Sequence, residues 1–212
     1  ATTVLGQGVP FLHLGVDLLR SKSMERDSYD SGDWFNRVDW TGQTNNWNVG
    51  LPSAEKDSGN YDTIAPIIAD ASIAPTAEHI ALARRFVLEV LRIRSSSELF
   101  RLRTREQVMS RVDYLNVGPD QVPGMIVQTV TDGTCAGDDL DPALDGVVVV
   151  VNASPREQSF SLSGAASMAL HPVLASSSDP VVQSARVDAV NDALVVPALT
   201  TAAFVLPQTG PQ

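Results

Sequence analysis

Past residue 104 the chain reads as a succession of short β-type runs broken by turn dipeptides, and this alternation limits its fold most. The runs cover 108–117, 124–131, 147–151, 159–162, 169–174, 193–196 and 201–206. Gly118-Pro119, Pro123-Gly124, Asp132-Gly133, Asp145-Gly146 and Ser154-Pro155 punctuate them, and such pairs set the backbone angles that turns need. Seven such runs in about a hundred residues predict an antiparallel β-sandwich. Asn152-Ala153-Ser154-Pro155 marks a strand running into a turn.

The first half reads differently. Val9-Pro10-Phe11-Leu12-His13-Leu14 is a continuous apolar run between Gly8 and Gly15. Both faces of such a run must be covered, so it predicts a short buried parallel strand. Ala1 to Gly8 reads as the end of a helix closed by Gly6 and Gly8 as C-caps. Residues 17–76 are rich in Ser, Asn, Asp, Gly and Pro and show little periodicity. A stretch of that length points to a functional loop region with short helices. Residues 77–94 then give the clearest helix. Thr76 is placed as N-cap and Glu78 in the first turn, and Ile80, Ala83, Val87, Val90 and Leu91 recur on one stripe. The predicted class is therefore α/β plus all-β, with domains at 1–103 and 104–212. The last residues, 208–212, read as a disordered tail.

Composition narrows the function. The 212 residues carry a net charge of −10. An acidic surface disfavours nucleic acid and anionic membranes, both of which need Lys and Arg to meet phosphate. No apolar run reaches the ~18 residues of a membrane span. Cys135 is the only cysteine, so no internal disulfide forms. It lies in a Gly/Asp-rich loop and reads as incidental. No nucleophile elbow, phosphate-binding glycine loop or zinc-ligand spacing is present. His79 reads as a surface residue, His171 as packing in a strand. His13, at the carboxyl end of the predicted parallel strand, is the histidine best placed for a site.

The densest chemistry lies at 26–40, where four aspartates, two arginines, two tryptophans, a tyrosine and a phenylalanine fall within fifteen residues. Asn45-Asn46-Trp47-Asn48 follows. Carboxylates and guanidinium groups hydrogen-bond vicinal hydroxyls, and aromatic faces cover the C–H faces of a sugar. A solvated, turn-rich loop is the plain alternative. A glycosidase needs two carboxyls at most ~9.5 Å apart. Asp30 with Asp33, or Asp33 with Asp39, is near enough in sequence to be a candidate pair, but the spacing singles out neither, and a solvated Asp-rich turn is the default reading.

Several runs carry a resemblance: Gly6–Phe11, 18–23, 26–37, 45–52, 91–96, 99–102, 166–173 and 177–179. They resemble the C-terminal part of pullulanase-type debranching enzymes of glycoside hydrolase family 13, closest to the plant-type limit dextrinases. The resemblance implies a (β/α)8 catalytic barrel followed by an all-β C-terminal domain, with sites at the carboxyl ends of the barrel strands. It makes 9–14 the eighth strand, 77–94 the eighth helix and 17–76 the loop over the active face. Asp33 and Arg37 are then expected to hold glucose hydroxyls in a donor-side subsite. An Asp–Arg pair four residues apart can meet one ligand from one helical turn. Trp34 and Phe35 are expected to pack the loop down, with Asn36 and Trp34 as weaker substrate contacts.

The same resemblance places the family's nucleophile Asp, acid/base Glu and transition-state-stabilising Asp on strands before Ala1. The chain is therefore expected to be a C-terminal fragment with no catalytic residue of its own, inactive alone. Its expected partners are an α-glucan (pullulan, limit dextrin) and the N-terminal remainder of the same enzyme. Hydrolysis of α-1,6 branches with retention needs no cofactor, and no metal is implied. A plant-type protein would be plastid-located, a bacterial one secreted. Two other readings stand beside this one: a non-catalytic carbohydrate-binding or structural β-sandwich module, and an unrelated all-β adhesion domain. Tyr114, Phe160 and Phe204 are the only aromatics of the β part, and they are scattered. That favours a covering role over glucan binding.

Overall fold

The computed structural model describes residues 1–27, 29, 32–133 and 136–208. The chain forms two compact units, one of Ala1–Pro10 with Glu89–Gln212, the other of Phe11–Leu88.

The first unit is built on two antiparallel sheets. Strands β1 (Val112–Tyr114), β2 (Met125–Thr131), β3 (Leu144–Asn152), β5 (Ala169–Leu170) and β8 (Thr200–Pro207) form one, in the order β1-β2-β3-β8-β5. The other is β4 (Gln158–Ser161), β7 (Ala193–Val196) and β6 (Arg186–Asp188), with β7 in the middle. The antiparallel two-sheet expectation thus holds. Central strand β3 lies between β2 and β8, and Val147 to Val150 are all buried. Consecutive valines suit such a strand because both of its faces are covered. Phe204, Leu194 and Val196 join that core. So do Val90 and Ile93 of helix α4 (Ala77–Ser96), Leu99 and Phe100 just beyond it, and Val4 and Leu5 of helix α1 (Thr2–Leu5).

Two strand expectations are corrected here. Residues 105–111 form helix α5 (Arg105–Arg111), leaving only β1 as strand. The cause is a capping box: Thr104 Oγ1 accepts from Gln107 N, and Gln107 Oε1 accepts from Thr104 N. The 169–174 run splits into two-residue β5 and helix α6 (Pro172–Ala175), because Pro172 cannot donate to a ladder and suits the first helical turn. Strand β6, short and half polar, has no expectation to match it.

Residues 9–14 are also corrected. They form no strand, and Val9 and Phe11 are 81% and 88% exposed. A strand needs neighbours for its backbone N–H and C=O groups, and no described residue pairs with this run. Gly6 ends α1 in an extended conformation (φ −76°) rather than a left-handed one, its N–H bonded to Thr2 O. The barrel arrangement implied by the resemblance is therefore not evident in this chain.

The second unit is loop-rich, as its composition demands. Among its described residues, helices α2 (Ala54–Asp57) and α3 (Tyr61–Ala69) and four single turns of 3-10 helix interrupt it. Leu18, Phe35, Ile64, Ile68 and Ile80 are its buried apolar residues. With so small a core, polar side chains do much of the fastening. Buried Ser23 donates to Gly50 O (3.0 Å) and accepts from Val49 N (3.2 Å). Buried Glu25 accepts from Asp27 N (2.9 Å) and Ser53 N (3.4 Å). Tyr61 donates to Pro52 O at 2.6 Å. The helix predicted over 77–94 is observed over 77–96, with Thr76 Oγ1 accepting from His79 N at 3.3 Å as its cap.

Candidate functional site

The candidate residues sit on a turn whose shape follows from its sequence. Gly32 adopts φ +85°, ψ 151°, a region open almost only to glycine. A Cβ there would lie 2.5 Å from the Trp34 ring. The chain then forms a 3-10 turn over Asp33–Asn36. Phe35 is the buried wedge that pins it, while Trp34 stays 58% exposed, its ring 5.4 Å from that of Phe35. Phe35 therefore packs the loop as expected; Trp34 lies on its outer side.

A second segment braces this turn. Asn46, buried and left-handed at φ 70°, donates to Trp34 O at 2.6 Å. Asn45 donates to Leu19 O at 2.8 Å, and Ser21 N donates to Asn45 O at 2.7 Å. Arg20 donates to Asn36 O at 3.2 Å, and its other nitrogen lies 3.4 Å from His13 Nδ1. Asp39 closes the loop between turn and brace. Its carboxylate accepts from both N–H and hydroxyl of Thr41 and of Thr44, at 2.6–2.9 Å. These hydrogen bonds, the Thr41 hydroxyl first, hold the Asp39 carboxyl far below the usual carboxylate range.

Asp33 and Arg37 stand at the two ends of the turn, both exposed. Among the described residues neither has a hydrogen bond or ion pair, so both are free to meet a ligand. They do not share a helical turn: Arg37 is already extended (φ −58°, ψ 142°). Arg37 instead edges a cleft of about 300 Å³ with Thr44, Asn45, Trp47, Val49 and Pro75, a lining in which Asp33 takes no part. The buried indole N–H of Trp47 has no hydrogen-bond partner. Asn36 contributes its backbone carbonyl to Arg20 and lies half-buried.

The remaining sequence candidates fall elsewhere. Asp30 and Cys135 lie outside the described residues. Asp39 is fully engaged by Thr41 and Thr44, which makes it an organiser of the loop. His79 is exposed at the start of α4. His171 is buried, though as the cap of α6 rather than within a strand. Sequence reasoning missed Asn45 and Asn46 as braces; their signal was a pair of asparagines, the residues most tolerant of a left-handed backbone. Among the described residues no group of three or more His, Cys, Asp or Glu could hold a metal ion. No described helix is long and apolar enough to cross a membrane.

A unit of two antiparallel sheets, and a loop-rich unit with exposed Asp33, Trp34 and Arg37, define the class: an all-β domain with a loop-rich companion. Comparison with known proteins gives that class its family. The profile described as "Alpha-1,6-glucosidases, pullulanase-type, C-terminal" matches residues 42–207. The chain belongs to this pullulanase-type C-terminal family.

"Pullulanase 1, chloroplastic" of Arabidopsis thaliana is 42% identical over 97% of the chain and 22% of that protein. The crystal structure of PulA from Klebsiella oxytoca superposes with a TM-score of 0.91 at 39% identity, covering 100% of this chain and 20% of that one. The maltotriose complex of PulA from Klebsiella pneumoniae gives a TM-score of 0.86 at 40% identity, again over 100% of this chain and 23% of the other. The chain thus spans about a fifth of the length of these relatives.

Proposed function

We propose that this chain is the C-terminal part of a starch-debranching enzyme that hydrolyses α-1,6-glucosidic linkages in pullulan and limit dextrins with retention. The observation that carries this reading is family membership along nearly the whole chain. A retaining glycosidase works through two carboxyls, one forming a covalent glycosyl-enzyme intermediate and the other shuttling the proton. On this reading those carboxyls belong to the remainder of the enzyme, and this segment supplies a wall of a substrate subsite.

Residues 1–103 are proposed as the end of the (β/α)8 barrel and 104–212 as the C-terminal β domain. The exposed apolar run at 9–14 supports this: such a run gains its covering and its ladder bonds only beside other strands. Asp33 and Arg37 are proposed to bind glucose hydroxyls, with Trp34 and Asn36 contributing less. Asp33 and Arg37 are supported by exposure without partners among the described residues, and Arg37 also by the cleft it edges. That a relative is known as a maltotriose complex favours an α-glucan as ligand. The net charge of −10 speaks against nucleic acid and anionic membranes as partners. A chloroplastic relative favours a plastid and the Klebsiella relatives a bacterial setting. A glucan-binding role for the β unit has less support, since Phe204 is buried and the Tyr114 hydroxyl is bonded to Gln128 at 3.1 Å.

The test uses the complete enzyme. Asp33→Ala and Arg37→Ala should each lower kcat/KM on pullulan roughly ten- to a hundredfold, the scale of one lost charged hydrogen bond, with the melting temperature unchanged. Full kcat/KM in either variant, or loss of activity only in step with unfolding, overturns the assignment.

A further inference from the structure

We propose that His171 is an acid-sensitive latch: as a neutral ring it fastens the segment of α6 and α7 (Pro180–Gln183) to the end of α4, and protonation opens it. The geometry fixes both ring nitrogens. Nδ1 accepts from Val173 N at 3.2 Å, capping α6. Nε2 lies 3.0 Å from Ser96 Oγ. The Ser96 hydroxyl already donates to Ile93 O at 2.8 Å, so Ser96 accepts, and the imidazole proton sits on Nε2. Nδ1 is then an acceptor with no room for a proton. The ring stands edge-on to Phe100, centroids 6.0 Å apart, and His171 is 4% exposed.

An imidazolium here would face a backbone N–H with a second N–H and carry a charge into an apolar site. The elements around the ring offer it little relief. From α4, the Glu89 carboxylate is occupied by the Ser177 hydroxyl at 3.0 Å. Arg92 and Arg94 on α4 are cations, and Arg94 is spent on the carbonyls of Val4, Gly6, Gly8 and Phe100. Glu98 pairs with Arg103, and Asp179 caps α7 through Val181 N. Strand β8 presents only Ala203 O, which takes the His171 N–H. Burial alone accordingly pushes the ring's proton affinity down.

The sign follows by linkage. A histidine held below its free pKa of ~6.5 contributes fully above that pH, and the contribution is lost as pH falls, by up to tenfold per unit for one proton. Because Leu174 and Val182 belong to the core, opening the latch uncovers apolar surface.

Hydrogen exchange of the peptide over 170–184, measured in the full-length protein and corrected for intrinsic rates, reads this out. Protection should fall roughly tenfold between pH 7 and 5.5, and His171→Asn, whose amide oxygen can still cap α6, should flatten the dependence. The same pH profile in both proteins overturns the proposal. If the variant does not fold, NMR titration of the wild-type ring decides. Native His171 should titrate below the free value with its proton on Nε2; a value at or above it, or a proton on Nδ1, overturns the latch.

Discussion

Arg111 and Asp132 form an ion pair with both side chains 98% or more buried, joining the end of α5 to the turn after β2. Asp132 also accepts the backbone N–H groups of Gly133, Leu140 and Asp141, and Arg111 donates to Asp138 O. The pair thus ties together Gly133, Asp138, Leu140 and Asp141 ahead of β3. Removing one partner strands the other charge in the interior, at a cost of about 3–5 kcal/mol. Asp132→Ala and Arg111→Ala should each lower stability by that amount in chemical denaturation of the protein. Replacing both by apolar residues should recover only part of the loss, because three backbone N–H groups remain without Asp132. A double variant as stable as the wild type would reduce the carboxylate to a counter-ion.

Arg94 fastens the N-terminal segment to the β unit. Its guanidinium donates to the carbonyls of Val4 (2.8 Å), Gly6 (2.7 Å), Gly8 (3.0 Å) and Phe100 (2.9 Å). A lysine carries the charge without the planar fork that spans four acceptors. Arg94→Lys should therefore cost about 2 kcal/mol or more and release residues 4–8 to protease. Unchanged cleavage of that segment would mean that Val4 and Leu5 hold it by packing alone.

Where the sequence succeeded, the signal was local. Helix α4 was legible because Thr76 caps it and Ile80, Val87 and Val90 keep the helical period. Strand β3 was legible because a run of valines between turn dipeptides has few other uses. The failures share a different cause. The run at 9–14 has strand composition, but a strand is a property of a pair, and no described residue supplies the neighbour. Residues 105–111 turned helical through one reciprocal cap, Thr104 with Gln107, outweighing the β-type run that follows. In the site, the sequence marked Asp33 and Arg37 as chemically apt. The braces that shape the turn were hidden, since Asn46 acts on Trp34 twelve positions away through a backbone carbonyl.

Gly32 is the position where that turn is most easily broken. Alanine there would meet both an unfavourable backbone region and the Trp34 ring at 2.5 Å. The backbone strain alone is on the order of 1–3 kcal/mol. Gly32→Ala should displace the Trp34 ring, seen as a shift in tryptophan emission, and lower kcat/KM on pullulan in the complete enzyme while the β unit keeps its hydrogen-exchange protection. An unchanged emission spectrum with full activity would show that the turn does not position the site.

Asp39 ties the pH behaviour of the cleft to its loop. Its carboxyl is held far below the ordinary value by the Thr41 hydroxyl first, then by Thr44 and the two backbone N–H groups. A carboxyl whose folded pKa is depressed contributes fully above its free pKa of ~3.9, and the contribution is lost as pH falls toward the folded value. The 39–44 loop should therefore stay closed through neutral and mildly acid pH and loosen only below about pH 4. Asp39→Asn replaces one acceptor oxygen by a donor and should open the loop already at pH 7. The measurement is limited proteolysis across 40–44, several-fold faster in the variant, together with KM for pullulan in the complete enzyme. KM should rise because Gln43 and Thr44, which the loop carries, line the same cleft as Arg37. Equal cleavage rates at pH 7 would mean that Asn45 and Asn46 hold that lining without Asp39.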